Sequence, residues 1–284
     1  MEDIKNFISA CLVIKDEEDC LDRCLKSIQT LVDEIILIHD GPCKDRSLEI
    51  ANNYKARIFV REFAGLPAIH RPFSFEQAKG EWILYIDADE VVTDELRLEV
   101  RKLVQAPEVD AYNVNFPIYE CGIKIERGPY KKSLRPFLFR KSKLYLVALM
   151  DLGPMTYGRT VERWDLTLYH SRDQSKTTWH YFRTRLRQVW ELQGDRLMDW
   201  KNAPMFNVNA SDSENPLICR VKSFVSHPVY YTLKEASYDF YWRVRHGLLW
   251  SNFFSYRLFL SHTLIKFMMM FHFIRKKNRC FFYQ

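Results

Sequence analysis

Between residues 8 and 104, short apolar runs alternate with segments in which apolar residues recur at helical spacing. The predicted strands are 8–14, 34–38, 57–60 and 82–86, and the predicted helices are 21–31, 45–54, 71–79 and 93–104. A strand, a helix and another strand in succession give parallel strands joined by helical crossovers. Strands that are apolar throughout fit such a sheet, because helices cover both of its faces. The pattern therefore predicts an α/β fold with a mostly parallel sheet flanked by helices.

Three residues are predicted to mark helix ends. Asp45 and Thr93 precede two of the helical segments, and both are residue types that favour the N-cap position. Gly80 follows the segment 71–79, where a glycine is well suited to end a helix.

The alternation stops after residue 110, and we predict three parts for the chain. Residues 112–116 and 134–139 have the composition of strands, with a basic stretch between them. From residue 177 onward the sequence has a helical pattern and is rich in aromatic residues. The predicted parts are 1–110, 111–175 and a helical C-terminal extension at 176–284.

Charge and cysteine content narrow the function classes. The net charge is +6, and basic residues are interspersed with acidic ones along most of the chain, so we expect no nucleic-acid partner. The seven cysteines are scattered and complete no zinc ligand set, so we expect reduced thiols and a cytoplasmic protein. The N-terminus lacks the basic start and apolar block of a secretory signal.

The apolar run 82–86 leads directly into three carboxylates, Asp87, Asp89 and Glu90. In open α/β sheets, ligands bind beyond the carboxyl ends of the strands, so these side chains lie where a site is expected. Paired carboxylates are hard oxygen ligands that suit Mg²⁺ or Mn²⁺ together with the phosphate oxygens of a substrate. The alternative is a solvated turn that caps the next helix. Their position after a buried strand favours the metal site.

The residues around Asp87 resemble two enzyme families. Residues 86–91 resemble the first motif of the haloacid dehalogenase-like phosphatases, with Asp87 as nucleophile, and residues 194–199 resemble that family's late acidic motif. Two features weigh against a phosphatase. The nucleophile of that family follows the first strand of its core, whereas Asp87 follows the fourth predicted strand. Residues 187–193 have a helical pattern at a place where that family has a buried strand.

A longer part of the chain, residues 8–96, resembles the nucleotide-binding half of the family 2 glycosyltransferases, which have the Rossmann-like GT-A fold. The matching segments are 8–18 with Lys-Asp-Glu-Glu at its end, 21–28, 32–41, 45–47 and 78–90 with Asp-Ala-Asp-Glu at its end. Their order and spacing carry the resemblance. The matching part of the chain resembles the bacterial branch that acts on lipopolysaccharide core and related glycans.

The resemblance implies an inverting transfer of a sugar from a nucleoside-diphosphate donor, most often a UDP-sugar. Asp89 would be a ligand of the divalent metal that stabilises the departing diphosphate, and Asp87 would bind the metal or the donor ribose. Arg71 lies close to the position at which the family carries an arginine near the donor diphosphate. The alternative is that Arg71 is an ordinary residue on a helix surface. The residues that the resemblance places at the nucleobase and ribose of the donor are Glu17, Glu18 and Asp40.

The sequence departs from the family's pattern on the base side. His39 stands where many members have aspartate, and residues 42–44, Pro-Cys-Lys, replace a small polar turn. Pro72 stands where asparagine is common. These differences leave the Asp87 and Asp89 metal motif intact, but they put the predicted contacts with the nucleobase in question.

The acceptor hydroxyl must lose a proton during transfer, which requires a general base on the acceptor side. By resemblance the base is Asp151, which follows the strand 134–139; the alternative is that Asp151 is only a turn residue. Glu162 and Asp165 are competing candidates. His170 would be a further metal ligand or an acceptor contact, and its alternative is a structural histidine.

Residues 249–279 are largely apolar, but charged residues interrupt them too often for a membrane-spanning helix. A narrow polar stripe and a basic end fit a helix that lies in a membrane interface beside anionic lipid. The alternative is a helix packed on the protein.

The leading interpretation is a metal-dependent glycosyltransferase that acts on a glycan or lipid-linked acceptor in envelope polysaccharide or lipopolysaccharide synthesis. We expect a cytoplasmic protein, with peripheral attachment to the inner face of the cytoplasmic membrane through 249–279 as a further expectation. Two alternatives stay open. One is the phosphatase that uses Asp87, and the other is a non-catalytic relative that binds sugar nucleotide.

Overall fold

The computed structural model describes residues 4–106, 108–117, 119–120, 123–124, 133–149, 152–170, 191–208, 211–245 and 266–278. The chain divides into two compact units. The first unit consists of Met1–Tyr119, Lys132–Arg172 and Pro204–Val208. The second consists of Glu120–Lys131, Asp173–Ala203 and Asn209–Gln284.

The first unit is built on a mixed β-sheet. The described strands of the chain are β1 (Ile4–Ile14), β2 (Glu34–Asp40), β3 (Arg57–Arg61), β4 (Gly80–Tyr85), β5 (Glu90–Val92), β6 (Ala111–Asn115), β7 (Tyr119–Glu120), β8 (Ile123–Lys124), β9 (Leu134–Arg140), β10 (Leu144–Val147), β11 (Met155–Thr156), β12 (Thr160–His170) and β13 (Met205–Phe206). Eight of them form one sheet, in the order β3-β2-β1-β4-β9-β6-β12-β5. In its first half, β3, β2, β1 and β4 pair in parallel. In its second half, β9 runs antiparallel to β4 and β6, β12 is parallel to β6, and β5 is antiparallel to β12.

Helices α1 (Glu18–Ile28), α2 (Ser47–Asn53) and α3 (Arg71–Gln77) connect the parallel strands, as the sequence predicts. Helix α4 (Asp94–Leu103) connects β5 to β6. Residues three or four apart share one face of a helix, and α1 accordingly buries Leu21, Leu25 and Ile28. The predicted cap of α4 is confirmed, because the Thr93 side chain accepts a hydrogen bond from the N–H of Leu96.

Apolar side chains cover both faces of the sheet, because successive strand residues point to opposite faces. On one face, Leu12 and Trp82 pack with residues of α1, α2 and α4. On the other face, Ile83 packs with Phe75 of α3 and Phe206 of β13. Each large side chain buried in this way contributes about 1.5–3 kcal/mol relative to exposure. The two-sided core fixes the position of the polar strand ends.

Gly80 does not end a helix, which corrects the prediction from the sequence. Helix α3 ends at Gln77, Ala78 is extended, and Gly80 begins β4. A Cβ atom on Gly80 would lie 2.4 Å from the carbonyl oxygen of Phe7. The glycine is therefore needed where β4 approaches β1, a use that its position after a helical segment does not reveal.

The second unit contains helices α5 (residues 191–198), α6 (Pro216–Ser226), α7 (Pro228–Arg245) and α8 (residues 266–278). The rings of Phe224 on α6 and Phe273 on α8 pack edge to face at 5.6 Å. Asp195 on α5 pairs with His272 and Lys276 on α8, at 2.7 and 2.6 Å. The predicted helical C-terminal region is confirmed by these elements.

Only the part of segment 249–279 that forms α8 lies within the described residues. In α8, Met269, Met270 and Phe273 are buried, whereas Phe271 is exposed. The described part of the segment therefore packs largely on its own unit. Among the helices that the structure describes, none combines the length and the apolar composition needed to cross a membrane.

Candidate active site

The carboxylates after β4 lie in a tight turn that joins β4 to β5. The N–H of Glu90 donates to the carbonyl of Asp87 at 3.1 Å, and the N–H of Asp87 donates to Oε2 of Glu90 at 2.9 Å. Ala88 is buried at the centre of the turn. Because these two hydrogen bonds fix the backbone, Asp87 and Asp89 project from defined positions.

Two arginines hold the carboxylate of Asp87. Nη2 of Arg71, at the start of α3, lies 3.2 Å from Oδ1, and Nη2 of Arg135, on β9, lies 2.7 Å from Oδ2. Both guanidinium groups also lie over the ring of Tyr85, at 4.8 and 4.2 Å from its centroid. The ring and the carboxylate together orient the two cations. Arg71 is thus part of the site, and Arg135 was not singled out from the sequence.

Glu90 is a buried carboxylate that holds the second arginine. Its Oε1 accepts from Nε of Arg135 at 2.8 Å, and its exposed fraction is 2%. Burial and the nearby charge of Asp87 raise the pKa of Glu90 to about 7, although Arg135 opposes this shift. The sequence marks Glu90 as a third carboxylate after β4 but predicts no role for it. Its partner Arg135 comes from a strand that is distant in sequence, so no local sequence pattern predicts the pair.

Asp89 points to His170, the last residue of β12. Oδ2 of Asp89 and Nε2 of His170 lie 3.1 Å apart. β12 pairs with β5 so that His170 is opposite Glu90, next to the turn. The His170 ring also packs on Phe116, with centroids 5.3 Å apart. The arrangement places a carboxylate and an imidazole together, as two ligands of one metal ion would be.

Asp40 is buried and supports the loop after β3. Its two carboxylate oxygens accept hydrogen bonds from the N–H groups of Ala64 and Gly65, at 2.6 and 2.9 Å. Nε2 of His70 lies 3.0 Å from Oδ1. Burial opposes ionisation, but these hydrogen bonds outweigh it and lower the pKa of Asp40. The Asp40 carboxylate already fixes a loop, so it would have to keep these hydrogen bonds while it contacts the nucleobase of the donor, as predicted.

Glu17 and Glu18 lie where β1 gives way to α1. The N–H of Glu17 donates to Oγ of Ser47 at 2.8 Å, and Oε2 of Glu18 accepts from the N–H of Arg46 at 2.9 Å. Asp45 accepts from the N–H groups of both Glu18 and Ser47. These contacts tie the end of β1 to the start of α2. The Glu18 carboxylate therefore helps to fix this loop, whereas Glu17 contributes its backbone N–H.

The predicted general base, Asp151, lies outside the described residues. The competing candidates Glu162 and Asp165 are exposed on β12. Nη2 of Arg163 lies 2.6 Å from Oδ2 of Asp165 and lowers the pKa of that carboxyl. A carboxylate held in this way is a weaker proton acceptor, so Asp165 is the poorer of the two exposed candidates.

Residues 194–199, which resemble the late acidic motif of the phosphatases, lie largely in a helix. Within 194–199, residues 194–198 belong to helix α5, and Asp195 pairs with His272 and Lys276. Asp87, the nucleophile of that interpretation, has both oxygens bound to guanidinium groups. A carboxylate in two such charge-assisted contacts is poorly available for attack on phosphorus.

A family model described as glycosyl transferase family 2 matches residues 9–195. The matched range contains every residue of the turn, both arginines and His170. It amounts to more than half of the chain.

Several curated proteins are similar to part of the chain. A TPR repeat-containing protein of Synechococcus elongatus is 35% identical over 130 residues, 46% of this chain and 31% of that protein. An uncharacterized glycosyltransferase of Rickettsia bellii is 30% identical over 105 residues, 37% of this chain and 35% of that protein. The cholesterol galactosyltransferase of Borreliella burgdorferi is 35% identical over 147 residues, 48% of this chain and 39% of that protein. The chain thus spans well under half the length of these relatives.

Among solved structures, S. aureus TarS 1–349 in complex with UDP-GlcNAc has a TM-score of 0.48 and 12% identity, over 96% of this chain and 92% of that chain. Glucosyl-3-phosphoglycerate synthase from Mycobacterium tuberculosis, in complex with Mn²⁺, UDP and phosphoglyceric acid, has a TM-score of 0.42 and 18% identity, over 67% and 78%. The match to the family over residues 9–195, together with the sheet described above, leads to one conclusion. The chain belongs to glycosyl transferase family 2 and has the GT-A fold.

Proposed function

We propose that the chain transfers a sugar from a UDP-linked donor to a glycan or lipid-linked acceptor, with inversion at the anomeric carbon. The observation that carries the proposal is the Asp89–His170 pair, which lies in the same turn-centred site as a carboxylate held by two arginines. Such a site combines metal ligands with cations that suit a diphosphate.

A carboxylate and an imidazole fit Mn²⁺ better than Mg²⁺, because Mg²⁺ favours oxygen ligands and keeps several waters. Asp89 and His170 would hold the metal, and Asp87 would act on it through water. When bound, the metal would act as a Lewis acid for the leaving diphosphate. The contact with Phe116 limits rotation of the His170 ring, so the nitrogen stays directed at Asp89.

Arg71 and Arg135 would bind the diphosphate. Both are now paired with Asp87, and both guanidinium planes lie over Tyr85. A diphosphate carries more negative charge and more acceptor oxygens than one carboxylate, so it can attract these groups from Asp87. Asp87 would then be released to contact the donor ribose or metal-bound water.

The remaining parts of the proposal concern the acceptor. We retain Asp151 as the general base that removes the acceptor proton. The relative named cholesterol galactosyltransferase supports an acceptor of lipid type. A role in envelope polysaccharide or lipopolysaccharide synthesis, at the inner face of the cytoplasmic membrane, is consistent with such an acceptor. Residues 249–279 would then contact anionic lipid.

Donor hydrolysis tests the proposal without knowledge of the acceptor. Purified protein is incubated with UDP-, GDP- and CDP-sugars, with and without Mn²⁺, and the released nucleoside diphosphate is measured. We expect release from UDP-sugars that requires Mn²⁺ and is lost in Asp89→Ala. The anomer of the released sugar, read by NMR at early times, reports inversion or retention.

His272→Ala is the matched control, because it removes the histidine of another His–Asp pair in the chain. It should leave donor hydrolysis unchanged. UDP-sugar binding without turnover, with any acceptor tried, would instead support the non-catalytic relative. Hydrolysis of simple phosphate esters that depends on Asp87 would support the phosphatase.

A further inference from the structure

Three ligand-type side chains meet where β1 and β2 end, and the proposed reaction uses none of them. A carboxylate oxygen of Asp16, Nε2 or Nδ1 of His39 and Sγ of Cys43 lie within 4.8 Å of one another. His39 and Cys43 are two of the positions at which the sequence departs from the family's pattern. The fold therefore brings two unexplained residues into one cluster.

His39 is oriented as a metal ligand would be. The side chain is fully buried, and its Nδ1 lies 2.7 Å from the carbonyl oxygen of Gly41. Nδ1 therefore carries the proton and donates it, which leaves the lone pair of Nε2 directed at Asp16. Nε2 lies 3.5 Å from Oδ1 of Asp16 and accepts a long hydrogen bond from the N–H of Asp16 at 3.3 Å, which a bound ion would replace. A second nitrogen fixed by a backbone carbonyl is the usual support of a metal-binding histidine.

Asp16 and Cys43 complete the cluster from partly exposed positions. Asp16 has a φ of 51°, a left-handed conformation that is uncommon outside glycine, and this turns its carboxylate toward the loop after β2. Its Oδ1 accepts from the N–H of Lys44 at 2.8 Å. Sγ of Cys43 is 3.3 Å from both the carbonyl and Oδ1 of Asp45. These are the only adjustable members, since His39 is fixed by its burial.

A tetrahedral ion at ordinary bond lengths needs ligand atoms about 3.3–3.8 Å apart, so a contraction of about 1 Å would be sufficient. Two partly exposed side chains can make that change by small rotations. Thiolate and imidazole ligands select Zn²⁺ over Mg²⁺ and Mn²⁺. One carboxylate and one thiolate would also balance the charge of a divalent ion.

We propose that Asp16, His39 and Cys43 bind Zn²⁺ or a chemically similar divalent cation, at a site that shares no residue with the Asp89–His170 pair. On binding, the thiol proton of Cys43 is released to solvent and the thiolate sulfur bonds to the ion. Lys15, whose Nζ is 3.0 Å from Oδ2 of Asp16, would remain on the carbonyl of Pro42, which it already contacts at 2.8 Å. Water would supply the fourth ligand. The ion would join the end of β1 to the loop after β2.

Co²⁺ is the probe of choice, because a thiolate bound to Co²⁺ gives a charge-transfer absorption band that oxygen and nitrogen ligands do not give. The Asp89–His170 pair contains no sulfur, so the band reports only a thiolate site. We expect the band in wild-type protein and in Asp89→Ala, and its loss in Cys43→Ser. Cys20→Ser is the matched control and should retain the band. Excess Zn²⁺ should remove it by competition.

His39→Gln should lower the Zn²⁺ affinity measured by competition with Co²⁺. Because a ligand itself is lost, the decrease should exceed the ~10–100-fold that follows loss of an outer-shell partner. Circular dichroism checks that each variant is folded. A band that is absent from wild type, or that persists in Cys43→Ser, overturns the proposal.

Alkylation of wild-type protein gives an independent test that needs no variant. Zn²⁺ should slow the reaction of Cys43 with iodoacetamide, measured by peptide mass spectrometry. The exposed Cys219 is the internal reference and should react at an unchanged rate. Equal rates at Cys43 with and without Zn²⁺ would contradict the site.

Discussion

Nε2 of His170 lies 3.1 Å from Oδ2 of Asp89, although 81 positions separate the two residues in the sequence. The contact depends on the antiparallel pairing of β5 with β12, which sets His170 opposite Glu90. A local turn and a distant strand end together make the proposed metal site. Removal of either side chain should therefore damage metal binding and leave the sheet in place.

His170→Ala is expected to weaken the Mn²⁺ dependence of UDP binding. The variant loses the nitrogen ligand, and we expect the apparent Mn²⁺ affinity to fall by about tenfold or more. A Mn²⁺ titration at fixed UDP, followed by calorimetry, gives the measurement. His272→Ala should behave as wild type, because His272 and its partner Asp195 both lie in the second unit, whereas His170 lies in the first. Equal Mn²⁺ affinity in His170→Ala and wild type would remove His170 from the metal site.

Arg135→Ala is expected to destabilise the protein by about 3–5 kcal/mol, because it leaves the buried Glu90 without its cationic partner. The loss should grow as pH rises. Glu90 has a pKa that is raised in the folded protein. Its contribution to the free energy of unfolding is therefore fully present below its ordinary pKa of 4.5 and is lost as pH rises through about 7. Without Arg135 the pKa of Glu90 should rise further.

Urea unfolding of Arg135→Ala across this pH range supplies the test. The double variant Arg135→Met with Glu90→Gln is the control, since it removes both charges and should recover part of the lost stability. A loss of stability in Arg135→Ala that shrinks as pH rises would contradict the buried pair.

Asp33→Asn is expected to cost about 1 kcal/mol at neutral pH. Asp33 accepts two hydrogen bonds from Arg101, each at 2.8 Å, and one from the N–H of Ile8. Although partial burial opposes ionisation, these contacts lower the pKa of Asp33 below its ordinary value of 3.8. Its contribution is therefore present above 3.8 and is lost as pH falls through the lowered pKa. Urea unfolding measures the difference in stability between variant and wild type, and this difference should shrink in acid. A difference that grows in acid would contradict this ion pair.

Gly80→Ala is expected to destabilise the sheet by more than about 2 kcal/mol, because the new methyl group would meet the carbonyl of Phe7 at 2.4 Å. Gly153→Ala is the matched control, since no atom of the described residues lies within 4 Å of the corresponding Cβ position. Thermal unfolding of both variants should show a large decrease in Tm for the first and little change for the second. Similar Tm values would mean that β1 and β4 can separate at little cost.

The parallel half of the fold was predictable because its signals are local. Strands β1 to β4 are nearly continuous apolar runs, and α1 and α4 carry apolar residues at helical spacing. The second half gave weaker signals. β12 is eleven residues long, but exposed polar residues such as Glu162 and Asp165 interrupt its apolar pattern. β5, β11 and β13 have only two or three residues, too few for any periodicity.

The candidate site was predictable only as far as short motifs extend. Asp87 and Asp89 were identified by their place after a buried strand, and Arg71 and His170 by resemblance. Arg135 was one basic residue among many in a basic stretch. Its role depends on β9 lying beside β4, an antiparallel pairing that no local pattern specifies. The cluster of Asp16, His39 and Cys43 likewise exists only once β1 and β2 pair.

The most direct test of the proposed donor site is calorimetric titration of UDP into wild-type protein and Asp89→Ala, with and without Mn²⁺. We predict that UDP binds to wild-type protein, that Mn²⁺ strengthens this binding, and that Mn²⁺ has no effect on UDP binding to the folded variant. Equal strengthening by Mn²⁺ in both proteins, or no binding of UDP to folded wild-type protein, would contradict it.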